Sequence, residues 1–183
     1  MDLTGEDLRG ADLSGCTLTG ARLNGCSLDG ANLEEAFLAE ARLEGASLRD
    51  VQGTDAVFQR ARLAGADLSR AQLQGANFDV ADLTRAKLYS ADLQQARLNS
   101  AVLTQADCTG ANLQGALLRG ADLQEADFTG CDLTDADLRR VKAQGAVFRE
   151  TRVEGALFYG KPPWGGKPVE RDWAAELPYH QED

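Results

Sequence analysis

The chain has 183 residues, 19 Lys and Arg against 29 Asp and Glu, and a formal net charge of −10. That length suits one domain, and 43% hydrophobic residues with only 6% aromatics call for a core of small aliphatic side chains. The acidic balance argues against a phosphate-binding groove for DNA or RNA and against an anionic membrane surface. No apolar run approaches the ~20 residues of a membrane-spanning helix. The opening MDLTGEDLRG has neither a basic start nor an apolar stretch, so a soluble, cytoplasmic protein is expected.

From Leu3 to Phe158 every fifth residue is the centre of a block, giving 32 centres, of which 23 are Leu and five are Phe. Gly53, Cys108, Ala143 and Val153 are the departures. Two residues before the centre stands Ala in 24 of the 32 blocks, with Cys16, Cys26 and Cys131 in the same slot, and many blocks end in Gly. A period of five spirals around a helix and alternates faces on a straight strand. It becomes coherent when the chain bends once per block. Ala and Leu, two apart, then point the same way. The residues after the centre turn the corner, and Gly eases the backbone there. Repeated bends wind a coil with its apolar pairs inward, and coils stack at the ordinary strand spacing of about 4.8 Å.

Blocks such as ADLSG, ANLEE, ADLTR, ADLQQ, ANLQG and ADLTD resemble the pentapeptide-repeat family. The resemblance spans residues 1–160 and implies an all-β fold, a right-handed quadrilateral β-helix of about eight coils with four blocks per coil. Residues 20 apart then share a face. In that register small centres have large neighbours: Phe58 follows Gly53 in its coil with Phe78 stacked beyond it, Cys108 sits over Phe128, and Ala143 and Val153 share the last coil with Phe148 and Phe158. A second segment, 161–183, opens with KPPWGGKP, which cannot continue the coil because proline lacks a donor. It is read as a C-terminal capping tail in which ERDWAAEL could form a short helix. Trp164, Trp173, Leu177 and Tyr179 are its candidate cap or dimer contacts.

Nothing in the chain resembles a catalytic, cofactor or metal site. The four cysteines replace Ala or Leu at inward positions, no two are 20 apart, and CxxC spacing is absent. Free, buried thiols are expected. The only histidine, His180, lies in the tail. The glycines recur every five residues and form no phosphate loop. The many outward carboxylates lack the pocket that acid–base chemistry needs. The reading is a protein that is not an enzyme and carries no cofactor.

Charge summed by face over residues 1–160 gives 0, −3, −7 and +2 for faces one to four. Face three carries Asp12, Glu34, Glu35, Asp55, Asp92, Asp132 and Asp135, a candidate docking side for a basic partner. Face four places Phe37 and Val57 side by side as a candidate apolar patch. Face one stacks Arg22, Arg42 and Arg62, whose repulsion Glu44 is positioned to relieve. Two functions fit. One is a non-catalytic scaffold that binds a protein partner of unknown identity through its flat acidic side. The other, implied by the family, is a DNA mimic that binds DNA gyrase or topoisomerase IV and protects it from quinolones or toxins. Duplex DNA of the same ~38 Å length carries about 22 charges, whereas these repeats net −8. Direct nucleic-acid binding and membrane binding are not expected; a homodimer through the tail or an open end is compatible with the sequence.

Overall fold

A computed structural model describes residues 1–158. Residues 2, 7, 12 and 17 each bridge in parallel to the residue 20 further on, and the pattern continues to Asp137 and Leu157. One coil is therefore 20 residues long: coil 1 is 1–20, coil 2 is 21–40, and so on to coil 8, 141–158. Face one holds the first block of each coil and face four the last. No insertion disturbs the register, and among the described residues no helix is long and apolar enough to cross a membrane.

Block 81–85 shows how five residues make a side and a corner. The Asp82 N–H donates to the Ala61 carbonyl of the preceding coil at 3.0 Å, and Leu83 and Arg85 donate to Val102 and Thr104 of the next at 2.7 and 2.9 Å. The Ala86 N–H returns to the Leu83 carbonyl at 2.9 Å and closes a four-residue turn. Its third residue, Arg85, has φ 56°, the signature of a type II turn. The remaining amide, on Thr84, donates to Asp82 Oδ1 at 3.0 Å. Beyond the Ala81 N–H, which donates to the Phe78 carbonyl of the preceding turn at 3.0 Å, no amide of the block is left over, as buried or half-buried backbone requires.

That Asp82 contact explains why Asp and Asn favour the second position. In block after block whose second residue is Asp or Asn, the side-chain oxygen accepts the N–H two residues on. These are Asx turns. Where the second residue differs, an acid from the coil before can substitute: Asp29 accepts from the Arg49 N–H and Asp79 from the Asn99 N–H.

The fifth residue of each block from 5 to 155 has φ between 52° and 74°, whether glycine or not. Glycine is thus the easier occupant, and the ladder holds other residues there, including the β-branched Val80 at φ 62°. An L-residue in this region costs roughly 1–2 kcal/mol, which the two flanking coil-to-coil hydrogen bonds offset.

The interior is a column of Ala and Leu pairs from coil 2 to coil 7, almost all fully buried. Truncating one such Leu to Ala costs about 2–5 kcal/mol. Phe58 and Phe78 stack in the face-four column with ring centroids 4.7 Å apart, and Phe128 and Phe148 stack on face two at 5.2 Å. The space at Gly53 is filled differently from the sequence expectation. A Cβ there would lie 3.0 Å from Leu73 Cδ2, so the leucine stacked on it from the next coil is the side chain nearest the space. In the outermost coils Leu3, Leu8, Leu13, Cys16, Val141, Ala143, Phe148 and Val153 are only partly buried. The proposed capping contacts Trp164, Trp173, Leu177 and Tyr179 lie outside the described residues.

Candidate interaction surfaces

The seven candidate acids of face three, which exclude Glu154 beside Arg152, divide into two groups with different work. Asp12, Asp92 and Asp132 occupy second positions and are committed to the turns. Asp12 accepts from the Ser14 hydroxyl at 2.7 Å and from its N–H at 3.2 Å. The Ser14 hydroxyl bond, then the amide, holds the Asp12 carboxyl below the usual carboxylate range. Asp92 accepts from the Gln94 N–H at 3.2 Å and from Gln74 Nε2 at 2.7 Å. Asp132 accepts from the Thr134 N–H at 3.0 Å and lies 3.2 Å from Arg152. Partial burial raises its pKa, but the Thr134 bonds and the Arg152 charge together lower it further.

Glu34, Glu35, Asp55 and Asp135 sit at the fourth and fifth positions, all exposed, and none forms an ion pair with a described residue. Glu35 and Asp55 stack on the corner between faces three and four, at φ 55° and 57°, with Glu34 beside them. Asp135 stands on the same corner four coils beyond Asp55, about 19 Å away at the strand spacing. The acids of the candidate set that serve no turn are therefore two foci on one corner. Gly75 and Gly155 make room for it: a Cβ on either would collide with the carboxylate of Asp55 or Asp135.

The corner leads directly from Glu34 and Glu35 into Phe37. Phe37 is 49% exposed and bridges to half-buried Val57. Coils 2 and 3 thus bring together three carboxylates and an exposed aromatic ring.

Face one differs from expectation. Arg22, Arg42 and Arg62 do stack, but Glu44 accepts from the Asn24 amide and forms no ion pair with them. Arg22 is paired instead with Asp2 at 3.2 Å. The cysteines also depart in detail. Cys16 is only partly buried because it belongs to the first coil. Cys131 donates from Sγ to the Cys108 carbonyl at 2.7 Å, a contact across a corner that counting in twenties misses. Burial pushes the Cys26 and Cys131 thiols up to about 11 and about 12. Among the described residues no group of three or more His, Cys, Asp or Glu could hold a metal ion.

Sequence reasoning passed over the far half of face four. There Leu117 is 39% exposed and is bracketed in its column by Arg97 and Asp137. The signal was present as the arginines at 97, 119, 139 and 140, but three of the four occupy fourth and fifth positions that a reading of outward columns leaves out.

A continuous ladder with an apolar interior and a varied polar exterior defines a quadrilateral β-solenoid. The chain belongs to the pentapeptide-repeat family: the family model for pentapeptide repeats matches residues 1–30, 26–52, 54–88, 81–120 and 121–160, with eight copies. Among solved structures, full-length QnrB1, a plasmid-mediated fluoroquinolone resistance protein, is 22% identical with a TM-score of 0.65, over 84% of this chain and 80% of that one. HetL of the cyanobacterium Nostoc sp. strain PCC 7120, involved in regulating heterocyst differentiation, is 26% identical over 86% and 89%, with a TM-score of 0.44. A thylakoid-lumen pentapeptide repeat protein of Arabidopsis thaliana is 33% identical over 64% and 71%, with a TM-score of 0.36. No curated protein matches the chain. The family match and the QnrB1 likeness establish the fold.

Proposed function

We propose that the protein is a non-catalytic scaffold that binds a protein partner at the corner between faces three and four in coils 2 and 3. The observation that carries this reading is the convergence of Glu34, Glu35 and Asp55, none ion-paired to a described residue, with exposed Phe37. Carboxylates that serve the turns are already answered by backbone and side-chain donors. Those at this corner are free to steer a basic surface, and Phe37 offers an apolar anchor beside them. A rigid solenoid holds both in fixed register. The cytoplasm is the proposed location.

The DNA-mimic reading asks for charge along the whole rod. Over residues 1–160 the repeats net −8 against about 22 charges on duplex DNA of the same length, and the face-three acids that serve no turn gather in two short foci. The scaffold reading is therefore preferred. The test is affinity capture with the wild type, with Glu34→Lys/Glu35→Lys/Asp55→Lys, with Phe37→Ser, and with Arg62→Glu on face one. A partner that binds through this corner is lost with the first two variants and kept with the third. Equal recovery with all four proteins refutes the corner. A supercoiling assay with purified gyrase is expected to show no inhibition at low micromolar protein, and potent inhibition would establish the mimic instead.

A further inference from the structure

Coils 5 to 7 carry an open groove of about 640 Å³ on face four and its edge, with Leu117 as floor and Asn99, Arg119, Asp137 and Arg140 among its walls. Its charge is arranged in an uneven ladder. Arg97 donates through Nε to Asp79 at 3.0 Å. Arg139 donates to Asp137 at 2.6 Å, and the same carboxylate lies 3.8 Å from Arg119 Nε, beyond hydrogen-bond reach. Asp137 is almost wholly buried, whereas the Arg119 side chain is half exposed. One buried acid is thus shared by two arginines, and the blocks of face four in coils 5 to 7 sum to +3. The groove therefore offers guanidinium donors and an apolar floor. A peptide that carries carboxylates and apolar side chains matches both.

The same chain supplies such a segment. Residues 170–183, ERDWAAELPYHQED, sum to −4 and include Trp173, Leu177 and Tyr179. The described chain ends at Phe158, in a face-four block whose Leu157 bridges to Asp137. The groove begins one coil away, about 4.8 Å. The eleven intervening residues, 159–169, can reach over ~35 Å when extended. A long external polyanion, by contrast, meets a protein of net charge −10.

We propose that the groove over Leu117 is the docking site for the chain's own acidic segment 170–183. Docking covers Leu117, gives Arg119 a carboxylate, and leaves the acidic corner of coils 2 and 3 open, so the inference does not depend on the function proposed above.

Both tryptophans of the protein, Trp164 and Trp173, lie in this tail, so the tryptophan emission of the full-length chain reports on the tail alone. The wild type is expected to show blue-shifted emission that acrylamide quenches poorly. Leu117→Ser and Arg119→Glu, at exposed positions, should each shift emission to the red and at least double the quenching constant, with an unchanged far-UV dichroism spectrum. Addition of salt should weaken the wild-type protection and leave Arg119→Glu unmoved. Emission already characteristic of open water in the wild type would overturn the proposal. So would emission that ignores both substitutions and responds only to Val153→Asp at the end of coil 8, because the tail would then cover the end of the solenoid. Protection that grows with protein concentration would assign the tail to a second copy and overturn docking within one chain.

Discussion

Replacing Asp92 by Ala and by Asn separates the two kinds of carboxylate on face three. Asp92 Oδ1 accepts the Gln94 N–H at 3.2 Å, and Oδ2 accepts Gln74 Nε2 at 2.7 Å. Alanine deletes both acceptors and leaves the half-buried Gln94 amide without a partner, which costs about 1–2 kcal/mol. Asparagine keeps Oδ1 for the amide but puts an N–H donor where Oδ2 accepted from Gln74, so it loses that bond and the charge, at an expected cost of about 0.5–1 kcal/mol. In a chain of this size 1 kcal/mol moves the melting temperature by about 2–4 °C. Alanine should therefore lower it by roughly 2–8 °C and asparagine by about half as much. Thermal unfolding followed by circular dichroism, with urea titrations as a check on cooperativity, measures both. Equal melting temperatures for the two variants would refute the structural role of the second-position acids and return Asp92 to the candidate docking residues.

Gly65 has φ 66°, and a Cβ added there would meet nothing within 4 Å, so Gly65→Ala isolates the backbone contribution and should destabilise by about 1 kcal/mol; an unchanged urea midpoint would show that the corners are unstrained. Asp7 is held down to about 2 by the Arg9 guanidinium, then by the Arg9 amide. Because its folded pKa is depressed, its contribution to stability is present above the ordinary 3.8 and is lost as pH falls through about 2. An NMR titration should find the Arg9 N–H shift moving near pH 2, and a midpoint near 3.8 would contradict the contact. Cys26, Cys108 and Cys131 are buried, with thiol pKa values raised by desolvation. They should resist iodoacetamide at neutral pH until urea unfolds the chain, and rapid native labelling of Cys131 would dispute the packing of that corner.

The coil was legible because its cause is periodic. Alanine and leucine recur at fixed spacing, and only a bend every five residues buries them all. What escaped is set by local geometry and not by period. A second-position Asp looks like surface charge in a sequence, and only the turn's backbone shows that it captures the amide two residues on. Arg42 stacks as the spacing requires, yet Glu44 reaches along its own column to Asn24, since rotamers choose among several partners at one strand spacing. Gly53 left a predictable hole, but that Leu73 lies nearest it depended on side-chain direction. The contact of Cys131 with Cys108 crosses a corner, where residues 23 apart approach although their blocks belong to different sides.

The unbroken 20-residue register also governs how this chain can change length. Gain or loss of four whole blocks lengthens or shortens the rod and keeps every surface in line. Gain or loss of one block turns everything downstream by a quarter revolution. Deleting residues 86–90, for instance, would swing Asp135 away from the corner it shares with Glu35 and Asp55, although no interior contact type is lost. Length variants of such a chain should therefore separate into those that preserve azimuth and those that scramble it, with folding indifferent to the distinction and recognition acutely sensitive to it.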